Sequence, residues 1–196
     1  VIGGGTMGAG IAHALARAGS TTTLIECDDK AIHAARLRMS GLYEAAVKRG
    51  LITVEAATEE QSTIRYQSGY SDIEEAGLVI EAVFEDMQVK CDVLKALDKA
   101  APRAILASNT SYLDIDVMAG CLSEPSRLVG LHFFSPAHIM KLLEIVKGVQ
   151  TSDYALATGY ALAKHLRKIP VEVGVCDGFV GNRMLQRVRE AAELLL

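Results

Sequence analysis

Stretches of continuous apolar residues alternate along the chain with stretches in which apolar residues recur about every 3.6 positions. The continuous stretches have the length and composition of strands that are buried on both faces of a parallel sheet. They are GLVIEAVF (77–84), AILAS (104–108), RLVGLHFF (127–134) and LLEIV (142–146). β-branched residues predict further strands at 21–26, 63–67 and 170–173. We expect Val1–Ile2 to end another strand, because glycines follow it directly.

The periodic stretches predict amphipathic helices between these strands. Their predicted bounds are 7–18, 28–50, 86–97 and 152–169, with a short acidic helix in the loop 51–61. We expect Asp28 or Asp29 to cap the second helix and Asp86 the third, while Gly19 and Gly50 follow the first two. This alternation predicts an α/β fold, namely a Rossmann-like, doubly wound and mostly parallel sheet with helices on both faces.

The pattern changes after Gly178. Residues 179–196 form one helical pattern with no strand after it, and they end in a run of leucines. We therefore expect residues 1–178 to form the Rossmann-like domain. Residues 179–196 are expected to be the first helix of a truncated α-helical domain whose remainder is absent, because their apolar face needs a partner surface. The alternative is a C-terminal helix that packs back on the sheet.

Composition excludes several classes of protein. The 196 residues are half hydrophobic and carry a net charge of −4, which gives no basic surface for nucleic acid. No apolar run approaches the ~20 residues that a membrane span needs. The four cysteines lie far apart and lack metal-ligand spacing. We therefore expect reduced thiols, no metal site and no membrane span.

The first ten residues contain a candidate nucleotide loop. Gly3, Gly5 and Gly8 form a GxGxxG pattern between the first predicted strand and the first helix. Glu26 ends the next strand about 20 residues later, where an acid binds the ribose hydroxyls of a dinucleotide. Its charge repels a 2′-phosphate, so the pattern predicts NAD rather than NADP. The alternative is a tight glycine turn with a structural role alone.

Four polar residues stand near predicted strand ends or at the start of the last helix, namely Ser111, His132, Glu144 and Asn182. Ligands of open α/β sheets collect at the carboxyl ends of the strands. A carboxylate inside the apolar strand 142–146 is costly unless it is paired, and pairing with His132 would also make a general base. The alternatives are an ordinary turn at 108–111 and a core histidine. The remaining histidines are expected at the surface: His13, His33, His138 and His165.

Five ordered motifs resemble the L-3-hydroxyacyl-CoA dehydrogenase family of fatty-acid β-oxidation. They are GGGTMGAGIA, VIEAVFEDMQVK, ASNTS, GLHFFSPAHIMKLLEIV and DGFVGNRM, and they cover essentially the whole chain. HFFSPAH and GFVGNRM look especially like the dehydrogenase part of multifunctional enoyl-CoA hydratase/dehydrogenase proteins. The resemblance implies NAD-dependent oxidation of L-3-hydroxyacyl-CoA to 3-ketoacyl-CoA, with an acyl-CoA as substrate partner.

The resemblance also implies roles for individual residues. His132 matches the catalytic base, and Glu144 matches the carboxylate that orients it. Ser111 matches the serine that contacts the C3 oxygen of the substrate, and Asn182 matches the asparagine that completes the catalytic set. Residues of the glycine loop and others match the NAD site: Gly3, Gly5, Thr6, Met7, Gly8, Glu26, Glu85, Lys90, Ser111 and Ser135.

The chain departs from the family pattern at a few positions. Glu26 replaces the usual aspartate, and Ser135 replaces the asparagine that many members carry after HFF. Arg49 falls near a basic residue that meets a CoA phosphate in some members, whereas Leu42 replaces a nearby serine. The alternative role of Arg49 is charge complementation at a helix C-terminus.

Two other functions stay open at this point. A β-hydroxyacid dehydrogenase of the 6-phosphogluconate type would need Lys164 or Lys168 as its catalytic lysine. A non-catalytic NAD-binding or structural relative would not need the four-residue set. For the whole protein we expect a homodimer or a multifunctional polypeptide, in a bacterial cytoplasm or in a eukaryotic mitochondrion or peroxisome. The chain alone is expected to bind NAD but to be weak or inactive as a dehydrogenase.

Overall fold

A computed structural model describes residues 1–195. The helices are α1 (Thr6–Arg17), α2 (Asp29–Lys48), α3 (Val54–Ser62), α4 (Met87–Ala100), α5 (Ile115–Ala119), α6 (Asp153–His165) and α7 (Gly181–Glu193). The strands are β1 (Thr22–Glu26), β2 (Ile64–Ser68), β3 (Leu78–Glu81), β4 (Ile105–Ser108), β5 (Leu128–Phe133), β6 (Leu142–Lys147) and β7 (Ile169–Gly174). A short 3₁₀ turn, Pro125–Arg127, precedes β5.

One mostly parallel sheet forms the centre of the molecule. Ile2 makes a parallel bridge to Ile25 on β1 and another to Glu81 on β3, so the expected strand end at Val1–Ile2 lies between the two. The resulting order is β2, β1, Ile2, β3, β4, β5, β6 and β7. This topology confirms the predicted doubly wound α/β fold.

The strands β6 and β7 run opposite to the others. β5 and β6 pair antiparallel, whereas β6 and β7 pair parallel. The segment 134–141 between β5 and β6 contains no helix that could carry the chain back across the sheet. A short connection of this kind joins antiparallel neighbours, whereas parallel neighbours need a crossover of a dozen or more residues.

Helix starts follow the capping residues in the sequence. A side-chain oxygen at the N-cap accepts a backbone N–H from the first turn of five helices; the capping residues are Asp28, Thr53, Asp86, Asp114 and Ser152. The prediction of Asp86 as a cap is confirmed, and Asp28 rather than Asp29 caps α2. The helix α1 differs, because it begins after Gly5 and has no side-chain cap. The first-turn N–H groups of α1 are therefore available to a ligand.

Several local expectations were wrong. The predicted helix 152–169 ends at His165, because the chain turns there into β7. The short helix α5 was not predicted. His13 is buried rather than at the surface, because Tyr43 of α2 and His138 of the segment 134–141 pack against its ring. Cys91 and Cys121 form a disulfide between α4 and the turn after α5, with Cα atoms 5.7 Å apart, whereas four reduced thiols were expected.

The last helix is exposed along its length. α7 covers most of the predicted stretch 179–196, of which Leu196 lies outside the described residues. None of the residues Gly181–Glu193 is buried, and Met184, Leu185 and Val188 are exposed apolar side chains. The sheet therefore leaves the apolar side chains of α7 uncovered within residues 1–195. No helix within residues 1–195 is both long and apolar enough to cross a membrane.

Candidate active site and cofactor groove

The glycine loop has the geometry that its spacing predicts. Gly3 has a φ of +89°, a left-handed conformation that favours glycine. A Cβ on Gly8 would lie 1.7 Å from the carbonyl oxygen of Gly3, so only glycine permits this approach of helix to strand. A Cβ on Gly5 would meet no atom within 4 Å. The loop therefore faces open space at Gly5, where the backbone can approach a ligand.

A groove of about 780 Å³ opens beside this loop. The groove is lined by Gly3, Gly5, Thr6, Met7 and Glu26, and also by apolar residues of the β3–α4 region. No acidic residue occupies the first turn of α1, so its N–H groups and positive helix end favour phosphate. These residues fit a dinucleotide.

Glu26 lies at the end of β1, next to the glycine loop. Its Oε1 accepts the N–H of Gly4 at 2.6 Å. Its Oε2 makes no hydrogen bond within residues 1–195 and remains available to a ribose hydroxyl. The longer side chain of glutamate thus supports the loop and still presents a carboxylate oxygen at the groove.

A buried network of charged and polar groups lies behind the groove. The ammonium of Lys90 lies 2.6 Å from Oε1 of Glu81 and 3.3 Å from Oε2 of Glu85. The other oxygen of Glu81 accepts the hydroxyl of Ser108 at 2.7 Å. Lys90 is only 1% exposed and does not line the groove. Lys90 thus holds the two carboxylates and does not present its own charge to the groove.

Glu85 links this network to the end of β4. It accepts the hydroxyl of Thr110 at 2.6 Å and the N–H of Ser111 at 2.7 Å. Burial acts to raise the pKa of Glu85, but these hydrogen bonds and the ammonium of Lys90 outweigh burial and hold the pKa below its usual value. The network therefore fixes the loop that carries Ser111 while Glu85 stays ionised.

His132 and Glu144 meet across neighbouring strands. The antiparallel register of β5 and β6 places them directly opposite each other. Nδ1 of His132 lies 2.7 Å from Oε2 of Glu144, and both side chains are buried. Burial acts to raise the pKa of Glu144, but the hydrogen bonds from His132 and from the N–H of Gly181 outweigh it and hold the pKa below its usual value.

The contacts of this pair define which ring nitrogen is available. An ionised Glu144 only accepts hydrogen bonds, so Nδ1 of His132 carries a proton toward it. Nε2 of His132 makes no hydrogen bond within residues 1–195, and its lone pair is free to accept a proton. The imidazole is held between aromatic rings, with centroids 4.5 Å from Phe134 and 5.6 Å from Phe179.

The same carboxylate anchors the start of α7. Oε1 of Glu144 accepts the N–H of Gly181 at 2.8 Å and that of Val180 at 3.1 Å. Asn182, the next residue, is half-buried. A Cβ on Gly178 would lie 3.2 Å from Cβ of Asn182 and 3.3 Å from the ring of Tyr112, which follows Ser111. The Ser111 loop, the His132–Glu144 pair and Asn182 thus belong to one region.

Asn109, Ser135 and Arg49 differ in their relation to this region. Asn109 lies within the candidate turn 108–111, although the sequence predicted no separate role for it; its Oδ1 accepts the N–H of Phe133 at 2.9 Å and joins the ends of β4 and β5. Ser135 follows β5, is exposed and precedes a cis proline. Arg49 is exposed after α2 and is not among the contacts of the His132–Glu144 pair, although its charge reaches His138.

The open α/β sheet, the glycine loop and the acid at the end of β1 define a dinucleotide-binding domain of the dehydrogenase class. Residues 1–176 match the family model described as "3-hydroxyacyl-CoA dehydrogenase, NAD binding domain". The chain belongs to this family, and it is an NAD-binding domain.

Relatives of known name support this membership. The chain is 42% identical over 197 residues to the peroxisomal bifunctional enzyme of Danio rerio, a match that covers 100% of the chain and 27% of that protein. It is 38% identical over 186 residues to the fatty acid oxidation complex subunit alpha of Pseudomonas putida, covering 94% of the chain and 26% of that protein. The chain thus spans about a quarter of the length of these curated relatives.

Two solved structures show the same architecture. The chain matches M. tuberculosis FadB2 with a TM-score of 0.93 and 34% identity, covering 100% of this chain and 71% of that one. It matches (S)-3-hydroxybutyryl-CoA dehydrogenase PaaH1 from Ralstonia eutropha with a TM-score of 0.90 and 34% identity, covering 94% of this chain and 65% of that one.

Proposed function

We propose that this chain is the NAD-binding part of an enzyme that oxidises an L-3-hydroxyacyl-CoA to the 3-ketoacyl-CoA. The observation that carries the proposal is the buried hydrogen bond between Nδ1 of His132 and Glu144, which leaves Nε2 free at the carboxyl end of β5. The names of the relatives, which include 3-hydroxybutyryl-CoA dehydrogenase, support the substrate class.

The groove beside the glycine loop is the proposed NAD site. The N–H groups at the start of α1, at Gly5, Thr6 and Met7, bind the diphosphate, and Gly8 allows the helix to approach it. Glu26 binds the ribose hydroxyls through Oε2. Glu85, which forms an ion pair with Lys90 and accepts the N–H of Ser111, follows Phe84 of the groove lining in the chain. NAD, when bound, supplies the acceptor for the hydride that leaves C3 of the substrate.

His132 is the proposed general base. Nε2 takes the proton of the substrate hydroxyl, and the ring becomes a cation in a buried position. Glu144 stabilises that cation through Nδ1, and its own charge is retained by the N–H groups of Val180 and Gly181. Ser111 and Asn182 are proposed to hold the C3 oxygen in line with Nε2, which is a positioning contribution.

The structure disfavours one rival chemistry. A dehydrogenase with a catalytic lysine would need a free ammonium, but Nζ of Lys168 donates to the carbonyl oxygens of Ala137 and Met140 at 2.7 and 2.6 Å. Lys164 is exposed on α6 and lines no part of the groove. A non-catalytic relative remains the second candidate, and turnover separates it from the dehydrogenase.

We also propose that residues 179–196 begin a helical substrate domain of a multifunctional polypeptide. The exposed apolar side chains of α7 and the greater length of the relatives support this arrangement. Ser135 and Arg49 are proposed as minor contacts of the cofactor and of a CoA phosphate. The names of the relatives support a location in a bacterial cytoplasm or a peroxisome.

A paired binding and turnover experiment tests the function. Thermal shifts of the chain with NAD, NADP and acetoacetyl-CoA report binding, and NADH-dependent reduction of acetoacetyl-CoA by the whole protein reports turnover. We expect His132→Gln to lower turnover by about 10²-fold or more while the NAD shift is kept. His33→Gln, at an exposed position on α2, is the matched control. Near-normal turnover of His132→Gln contradicts the proposal.

A further inference from the structure

A second pocket, of about 340 Å³, lies between the end of α1, the segment 134–141 and the turn that joins α6 to β7. We call it the basic pocket. Six side chains that are cationic or carry an imidazole line it: His13, Arg17, His138, His165, Arg167 and Lys168. No aspartate or glutamate lines it within residues 1–195.

His13 is the most unusual side chain in the basic pocket. It is 1% exposed, and neither ring nitrogen has a hydrogen-bond partner within residues 1–195. Its ring lies 4.5 Å from the ring of Tyr43 and 5.1 Å from that of His138, whose Nδ1 also lacks a partner. Buried polar groups are nearly always hydrogen-bonded, so two unpartnered imidazoles at one pocket point to a ligand that pairs with them.

Arg167 occupies a backbone position that normally belongs to glycine. Its φ is +53°, and it follows the end of α6, where Lys168 N–H reaches the carbonyl of Ala163 at 2.8 Å. Helices that end in this way usually carry glycine there, because a side chain in the left-handed conformation is strained. An arginine at this position places a guanidinium at the pocket in spite of that strain.

The charges around His13 leave the basic pocket positive. Burial, His138 and Arg17 lower the pKa of His13 to about 4, and burial, Lys168, Arg49 and Arg17 lower that of His138. Glu60 on α3 lies beside one of these cations, with its carboxylate 3.5 Å from Nε of Arg17. One carboxylate does not balance Arg17, Arg49, Arg167 and Lys168, so the pocket attracts an anion.

We propose that the basic pocket binds a phosphate group, with the neutral imidazole of His13 donating one N–H and with Arg17, Arg167 and Lys168 supplying the charge. Lys168 uses two N–H donors on Ala137 and Met140 and keeps a third for the ligand. The phosphate belongs either to the CoA part of the substrate, in which case this inference rests on the proposed function, or to free inorganic phosphate.

Titration of His13 by NMR tests the site in the whole chain. Bound phosphate favours the protonated ring, so we expect inorganic phosphate to raise the pKa of His13 by about one unit. Arg167→Gly is expected to weaken binding by about tenfold or more and to raise the melting temperature, because glycine fits the positive φ. Lys99→Gln, an exposed lysine on α4, is the charge-matched control and is expected to leave binding unchanged.

CoA and dephospho-CoA distinguish the two sources of phosphate. Binding of CoA about tenfold tighter than that of dephospho-CoA, lost in Arg167→Gly, assigns the pocket to the 3′-phosphate of the substrate. A response of His13 to inorganic phosphate without a response to CoA assigns it to free phosphate. If neither ligand moves the His13 signal, the inference is overturned, whereas the proposed dehydrogenase is judged separately by the turnover of His132→Gln.

Discussion

His132 on β5 and Glu144 on β6 face each other, with Nδ1 of the imidazole 2.7 Å from Oε2 of the carboxylate. The other oxygen of Glu144 accepts hydrogen bonds from the N–H groups of Val180 and Gly181 at the start of α7. One carboxylate therefore orients the candidate base and anchors the helix that carries Asn182. This arrangement requires the antiparallel turn after β5, because only that register sets the two residues opposite each other.

We expect Glu144→Gln to remove the negative charge beside His132 and to keep the hydrogen bond to the start of α7. The amide oxygen of glutamine still accepts the N–H of Gly181, so the fold is retained, whereas the cation that forms on His132 loses its counter-charge. Turnover of acetoacetyl-CoA should fall by about 10²-fold or more, with an unchanged thermal shift on addition of NAD. Glu172→Gln, exposed on β7, is the control. Loss of NAD binding in Glu144→Gln would instead indicate a structural role.

Gly8→Ala is expected to disrupt the glycine loop. The new Cβ would lie 1.7 Å from the carbonyl oxygen of Gly3, so the start of α1 must move away from the strand. Overpacking of this kind costs about 1–3 kcal/mol, and the displaced N–H groups should lose their affinity for the diphosphate. Gly41→Ala is the matched control, because it lies in α2 with no atom within 4 Å of its Cβ position.

The Gly41→Ala variant should be more stable than the parent by up to about 1 kcal/mol, since alanine is the better helix former. Urea denaturation and NAD-induced thermal shifts check both variants. Equal NAD affinity in Gly8→Ala and the parent would contradict the role given to this glycine.

Some of the contacts between these buried residues can be predicted from the sequence, and others cannot. An acid within an apolar strand signals a buried, paired carboxylate, and this signal identified Glu144. The same signal stands at Glu81 in GLVIEAVF, and Lys90 is the partner that this buried carboxylate requires. The burial of His13 has no such signal, because distant segments, including Tyr43 on α2 and the segment 134–141, create its surroundings. Local periodicity likewise does not encode the direction of β6.

Lys90→Met tests the buried network behind the groove. The substitution leaves Glu81 and Glu85 without their shared cation, and removal of one partner of a buried ion pair costs about 3–5 kcal/mol. The double variant Lys90→Met/Glu81→Gln should recover much of that loss, because no unpaired buried charge remains at Glu81. Lys95→Met, exposed on the same helix, should change the free energy of unfolding by less than about 0.5 kcal/mol. If the losses of stability from Lys90→Met and Glu81→Gln simply add in the double variant, the pairing of Lys90 with Glu81 is contradicted.

His13 should make the protein less stable in mild acid. Its pKa is about 4 in the folded protein, against 6.5 for an ordinary histidine. Above pH 6.5 the ring is neutral in both the folded and the unfolded state, so His13 does not make the free energy of unfolding depend on pH there. Between pH 6.5 and about 4 the unfolded chain binds a proton that the folded protein does not, so the free energy of unfolding falls with pH through this window.

His13→Gln removes this proton and should flatten the dependence between pH 6.5 and about 4. Below that window both proteins lose stability, because Glu85 and Glu144, whose pKa values are lowered from 4.5, become protonated there. Urea denaturation in phosphate-free buffer measures the slopes, and His33→Gln, exposed on α2, should keep the slope of the parent. If His13→Gln and His33→Gln give the same slope through this window, a neutral, buried His13 is ruled out.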